Sequence, residues 1–165
     1  MTSKLDADWL DAPALVAVFD ALERDGDTVR AVGGAVRNTL LGLPVSDIDL
    51  ATTALPEEVV ERARAAGLKP VPTGIDHGTV TVVSHGQPFE VTTLREDVET
   101  HGRAATVRFG RSWTHDAARR DFTMNALYVD RHGGVHDPLG GLGDLQARRV
   151  RFIGDPTERI EEDAL

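Results

Sequence analysis

Apolar residues recur at helical spacing near the start of the chain: Trp9, Leu10, Leu15, Val16, Val18, Phe19 and Leu22. This predicts a helix over 8–24, ended by Asp25-Gly26-Asp27. Val29-Arg30-Ala31-Val32 reads as a short strand running into Gly33-Gly34. A helix over 35–41 follows, stopped by Gly42, and then a strand over 47–51. Pro56-Glu57-Glu58 opens a further helix with acids in its first turn, and Gly67 closes it. Lys69 to Pro72 reads as a short strand. Residues 78–83 and 88–94 alternate as a hairpin joined by His85-Gly86-Gln87. Residues 96–112 read as a polar loop and 114–125 as a helix. A second hairpin, Leu127 to Asp130 and Val135 to Asp137, turns at Gly133-Gly134. Helices mixed with hairpins predict a small α/β domain with a mixed sheet.

Two features inside this pattern carry chemistry. Asp47 and Asp49 alternate across Ile48, so on a strand both carboxylates face one side and Ile48 faces a core. Paired carboxylates repel unless a cation lies between them, and Mg²⁺ binds through one or two carboxylates plus substrate phosphates. Gly33-Gly34 opens a helix whose first N–H groups suit an anion, and glycine allows close approach. Each feature alone also fits an ordinary turn or a solvated face. Their joint occurrence at a strand–helix–strand junction points to a metal–phosphate site and phosphoryl or nucleotidyl transfer.

Composition narrows the field. A chain of 165 residues, 41% of them hydrophobic, makes one domain or one domain plus the start of another. No run approaches the ~20 apolar residues of a membrane span, and no apolar stretch of a signal peptide opens the chain. There is no cysteine, hence no disulfide framework and no thiolate zinc site, which fits a cytoplasmic protein. The net charge of −9 argues against a general nucleic-acid coat. The charge is uneven, however: seven acids lie in 1–27, whereas six arginines lie between Arg95 and Arg120. Such a basic strip can hold phosphates.

Further candidates have competing readings. Glu90, between Phe89 and Val91, is either an outward carboxylate on a half-exposed sheet or a third acid beside Asp47 and Asp49. Arg119-Arg120-Asp121-Phe122-Thr123-Met124-Asn125 either pairs an arginine with an aspartate at a helix cap or binds phosphate and ribose. Thr73 to Thr79 forms a turn in which His77 is either packed or a phosphate donor, the structural role being preferred.

The stretch Val32-Gly33-Gly34-Ala35-Val36-Arg37 through Asp47-Ile48-Asp49 resembles the first motif of the class II tRNA nucleotidyltransferases and bacterial poly(A) polymerases. The catalytic head of that family has the polymerase-β-type nucleotidyltransferase fold. Arg119 to Leu127 resembles the family's ribose- and triphosphate-binding motif, and Phe89 to Arg95 resembles the strand bearing the third carboxylate. Asp137-Pro138-Leu139-Gly140-Gly141, and Gly154-Asp155-Pro156 with Arg159 to Leu165, resemble the links into the neck. Asn38 stands where the family often has Asp. Its side chain retains the ability to hydrogen-bond.

The resemblance implies a head over 29–154, preceded by a helical extension at 1–28 and followed by the start of a neck helix at 155–165. It implies metal-dependent addition of C, C and A to tRNA 3′ ends from CTP and ATP. Asp47 and Asp49 would be the Mg²⁺ ligands and, with Glu90, the catalytic carboxylates. Gly33, Gly34, Arg37, Arg119, Arg120, Asp121 and Asn125 would bind the nucleotide. The loop from Glu96 to Arg111 would move to orient substrates. The apolar face begun by Ile160, Ala164 and Leu165 ends with the chain, so base selection and most tRNA contacts are expected beyond it. A poly(A) polymerase head and a catalytically silent nucleotide-binding domain are the alternatives. An oxidoreductase dinucleotide domain would want a three-glycine spacing that Gly33-Gly34 lacks.

Overall fold

The computed structural model describes residues 4–98, 106–120 and 122–147. A 3-10 turn at Asp8–Asp11 leads into α1, Pro13–Leu22. The chain continues through β1 (Val29–Val32), α2 (Gly34–Leu40), β2 (Asp49–Thr52) and α3 (Pro56–Ala65). Then come β3 (Lys69–Gly74), β4 (Thr79–Ser84), β5 (Gln87–Thr93), β6 (Arg95–Val98) and β7 (Thr106–Phe109). Last are α4 (Trp113–Ala118), a 3-10 turn at Thr123–Asn125, β8 (Tyr128–Val129), β9 (Val135–His136) and α5 (Gly141–Gln146).

Seven strands form one sheet in the order β3-β4-β5-β2-β1-β8-β9, and β6 pairs with β7 in a separate ribbon. In the large sheet β2 and β5 run parallel and the other neighbours antiparallel, which is the mixed sheet expected of an α/β domain. Period-2 alternation sorts each strand's side chains between two faces. Val29, Ala31, Leu50, Val80, Val82, Phe89, Val91 and Val129 face one core. Leu15, Val18, Phe19 and Leu22 of α1, and Val59 and Ala63 of α3, fill that core from above. Fully burying a side chain such as Phe19 contributes about 2–3 kcal/mol. On the opposite face Val32, Ala51 and Tyr128 pack with Leu94, Ala117 and Ala126 in a smaller cluster. That cluster covers only part of the face and leaves the ends of β2 and β5 open: Asp49 and Glu90 are exposed.

Local chemistry explains most element ends. Pro13 at the first turn starts α1 and breaks it from the preceding 3-10 turn, so the helix predicted over 8–24 is two pieces. Asp25 and Gly26, with φ of 54° and 84°, end this region. In α3, Glu57 and Glu58 occupy the first turn and Arg62 and Arg64 the last, as the helix dipole favours. His85 and Gly86, both at positive φ, form a two-residue turn, so Gln87 belongs to β5.

Other expectations are corrected. The aspartate strand begins at Asp49, because β1 ends its pairing at Val32↔Asp49 and no partner among the described residues extends the ladder to Asp47. The stretch 96–112 is not wholly loop: β6 and β7 pair with Glu96 opposite Arg108, an attractive cross-strand couple. The helix over 114–125 is α4 followed by a separate 3-10 turn. The Thr123 hydroxyl donates to Asp144 at 2.6 Å, tying that turn to α5 instead of to α4. α5 itself was not predicted. Its first N–H groups, on Gly141 and Leu142, are capped by Asp137 at 2.7 and 3.0 Å. The neck-helix segment 155–165 lies outside the described residues, as does Asp121.

Candidate active site

The carboxylates meet at the open end of the sheet. β1 and β2 place Val32 opposite Asp49, and the parallel β2–β5 pair places Asp49 opposite Glu90. Tyr128 lies opposite Val32 on the other side. The row Tyr128–Val32–Asp49–Glu90 therefore crosses four strands on one face, with neighbouring strands about 4.8 Å apart. Asp47 sits in the loop before β2. Although not in the strand, it keeps the alternation: Asp47 and Asp49 are exposed while Ile48 is 6% exposed. Desolvation among these groups, then repulsion from Glu90 and Asp47, raises the Asp49 pKa; Arg120 partly offsets it.

Among the described residues no three His, Cys, Asp or Glu side chains converge tightly enough to enclose a metal ion. The carboxylates are close enough to repel, and they stand on an open face. That donor set fits a hard divalent cation held by Asp47 and Asp49, with its remaining ligands coming from water and substrate phosphate.

Beside them, α2 starts from Gly33, whose φ of 79° disfavours any residue with a Cβ. The Arg37 guanidinium lies against Gly34, where a Cβ would sit 3.4 Å from Nη2. Arg37 Nε donates to Asn38 Oδ1 and Nη1 to Asn125 Oδ1, each at 3.1 Å. Asn38 Nδ2 in turn donates to the Pro44 carbonyl at 3.1 Å. An amide serves both neighbours here, whereas an ionised Asp has no proton for Pro44. The two sequence motifs, one around Gly33 and one around Asn125, are thus joined through Arg37.

Arg120 is positioned differently. Its Nε and Nη2 donate to Asp116 Oδ2 at 3.3 and 3.1 Å, and Nε also reaches the Tyr128 hydroxyl at 3.3 Å. Arg120 is thus ion-paired with Asp116, four positions earlier; the expected cap pair within 119–125 turns on Asp121, which lies outside the described residues. The Arg120 charge still acts on Asp49. Arg119 caps the C-terminal end of α4. Asp116 and Tyr128 escaped the sequence reading; the one available signal was the i,i+4 spacing of Asp116 and Arg120. His77 lies in a 3-10 turn closed by Gly78, a structural setting.

The mixed sheet and the paired carboxylates at the end of β2 define a polymerase-β-type nucleotidyltransferase head. Residues 29–151 match the poly A polymerase head domain, and the chain belongs to that family. It is 45% identical over 152 residues to a CCA-adding enzyme of Anoxybacillus flavithermus, covering 91% of this chain and 37% of that protein. It is 41% identical to the human mitochondrial CCA tRNA nucleotidyltransferase 1, covering 92% of this chain and 35% of the relative. Among solved structures, the Bacillus stearothermophilus CCA-adding enzyme in complex with CTP superposes with a TM-score of 0.78 at 41% identity. That match covers 92% of this chain and 35% of the other. A tRNA nucleotidyltransferase complexed with a primer tRNA and an incoming ATP analogue gives 0.68 at 31% identity, over 87% of this chain and 40% of the other. The chain thus spans little more than a third of the length of these relatives. No helix among the described residues is long and apolar enough to cross a membrane.

Proposed function

We propose that this chain is the catalytic head of a template-independent RNA nucleotidyltransferase that adds CCA to tRNA 3′ ends from CTP and ATP. The observation that carries the reading is the register of Asp49 against Glu90, with Asp47 adjacent; burial first, and then both acids, raise the Asp49 pKa. Three acids on an open sheet face suit cation-assisted transfer better than a silent binding domain.

In the reaction, the RNA 3′-oxygen forms a bond to the α-phosphorus of the nucleotide, and the bond to the β-phosphate breaks to release pyrophosphate. Asp47 and Asp49 would hold Mg²⁺, and the chemistry it would supply there is polarisation of the phosphate and a lowered pKa for the attacking hydroxyl. Glu90 accepts the proton of the attacking hydroxyl. Gly33, Gly34 and Arg37 bind the β- and γ-phosphates, and Arg119 and Arg120 neutralise further phosphate charge. Asp121 and Asn125 hold the ribose, with Asn125 steadied by Arg37. All these groups read phosphate, metal or sugar, which the four nucleotides share.

Titration of the chain with CTP, ATP, GTP and UTP in the presence of Mg²⁺ tests the reading by calorimetry. Comparable weak binding of all four, lost in Asp49→Asn, is expected. Failure of every nucleotide to bind refutes it. Addition of CCA is assayed with the head joined to its neck and body, on a tRNA lacking the 3′ CCA. Incorporation of ATP alone, as a repeated tail, would assign a poly(A) polymerase instead.

A further inference from the structure

We propose that Asp116 is a positioning residue of this site, locking the Arg120 guanidinium in one orientation on the carboxylate face. The proposal rests on the nucleotidyl-transfer reading above. Asp116 lies in the interior of α4 and is 3% exposed. It is not the helix cap; Ser112 fills that role by accepting from the His115 N–H at 3.2 Å. Oδ1 of Asp116 accepts from the Arg95 N–H at 3.1 Å, at the start of β6. Oδ2 accepts from the Tyr128 hydroxyl at 2.7 Å and from both Nε and Nη2 of Arg120. One carboxylate thus gathers donors from β6, β8 and the end of α4.

A buried ion pair is a poor device for stability alone, since apolar residues of the same volume often serve as well. Its geometry serves another purpose here. One edge of the guanidinium, Nε and Nη2, is anchored on a single Asp116 oxygen, and Nε also reaches the Tyr128 hydroxyl, which restricts how the planar group can turn. Tyr128 fixes the frame: it stands opposite Val32, which stands opposite Asp49. Its ring is seated edge-on against Trp113, with centroids 5.0 Å apart. The restrained cation lies near enough to Asp49 to act on its charge. An arginine held in advance binds phosphate without losing further side-chain freedom.

The test is Mg²⁺·CTP binding by calorimetry on the full chain, for wild type, Asp116→Asn, Arg120→Gln and the double variant. Asp116→Asn is expected to weaken binding about tenfold, the scale of a lost charged hydrogen bond. The double variant is expected to bind no more weakly than Arg120→Gln alone, because both changes act through one side chain. Additive losses, or unchanged binding in Asp116→Asn, overturn the proposal. Should Asp116→Asn fail to fold, Tyr128→Phe keeps the ring and removes one donor. It is expected to weaken binding about threefold in wild type and not at all beside Arg120→Gln; an equal effect in both overturns the proposal. An independent readout is the Arg120 Nε–H resonance, expected to exchange slowly in wild type and rapidly in Asp116→Asn. Fast exchange in wild type overturns the proposal whatever the binding data. Absence of CTP binding beside a protected Nε–H counts instead against the nucleotide reading.

Discussion

Arg37 Nη1 donates to Asn125 Oδ1 at 3.1 Å, joining residues 88 positions apart. The same guanidinium holds Asn38, and Asn38 holds the Pro44 carbonyl in the loop that leads to Asp47. The helix after the glycine pair, the aspartate loop and the turn carrying Asn125 are therefore linked through one hydrogen-bonded chain. Nucleotide groups proposed for opposite ends of the substrate are set by one arginine.

The Arg37–Asn125 bond predicts energetic coupling. Arg37→Ala and Asn125→Ala should each lower stability by about 1 kcal/mol, and together by about 0.5–1 kcal/mol less than the sum. Urea unfolding of the four proteins measures this. Strict additivity would show that the bond contributes nothing in solution.

Asp49 predicts a metal-linked stability change. Its folded pKa is raised above the ordinary 3.8, first by desolvation and then by Glu90 and Asp47. Its favourable contribution is complete below that ordinary value and disappears as pH rises through the folded one. Once ionised, the group opposes folding. Asp49→Asn should therefore melt at a higher temperature than wild type without metal. Adding Mg²⁺ should raise the wild-type Tm and leave the variant's unchanged. A variant that melts lower, or responds equally to Mg²⁺, contradicts the carboxylate assignment.

Glu90→Gln keeps the size of the side chain and removes its basicity. In the head joined to its neck and body, kcat should fall about a hundredfold or more with little change in CTP affinity. Single-turnover incorporation separates the two. A change confined to KM would make Glu90 a binding group.

Gly78 seats the β6–β7 ribbon on the sheet. Its φ is 84°, and a Cβ there would lie 2.6 Å from Phe109 Cε1. Gly78→Ala should cost about 1–2 kcal/mol from backbone strain, plus displacement of the Phe109 ring. In a Phe109→Ala background most of the loss should persist, because the backbone term remains. Thermal unfolding of both backgrounds decides it, and complete rescue by Phe109→Ala would assign the cost to the ring.

Asp27 predicts acid sensitivity. Burial raises its pKa, but hydrogen bonds from Arg111, Thr53 and Arg62 outweigh this and hold it below the ordinary 3.8. Its stabilising contribution is present above that ordinary value and is lost as pH falls through the folded one. Asp27→Asn should cost about 2 kcal/mol or more at pH 7. The gap from wild type should narrow as pH drops below about 4. A pH-independent gap in denaturant unfolding would refute the linkage.

Much of the site is written in local sequence. Ile48 and Leu50 turn inward and Asp47 and Asp49 outward because a period of two needs only the chain's own geometry. Gly33-Gly34, the start of α3 at Pro56 and the β4–β5 hairpin are likewise set by neighbours in the chain. Tertiary structure decided what those residues meet. Local alternation leaves the register of Asp49 against Glu90 open, because parallel strands join through a long connection. Nor does it bring Asn125 to Arg37 or Tyr128 to Asp116, since these bonds form only once the sheet has folded. The β6–β7 ribbon and the break after α4 went unread for the same reason. Charged strands such as Arg95–Val98 lack an apolar period, and Glu96–Arg108 and Thr123–Asp144 contacts hold them in place from a distance. Sequence thus supplied the side chains of the site and their facing, while long-range pairing, whose free energy depends on the whole sheet, set their arrangement.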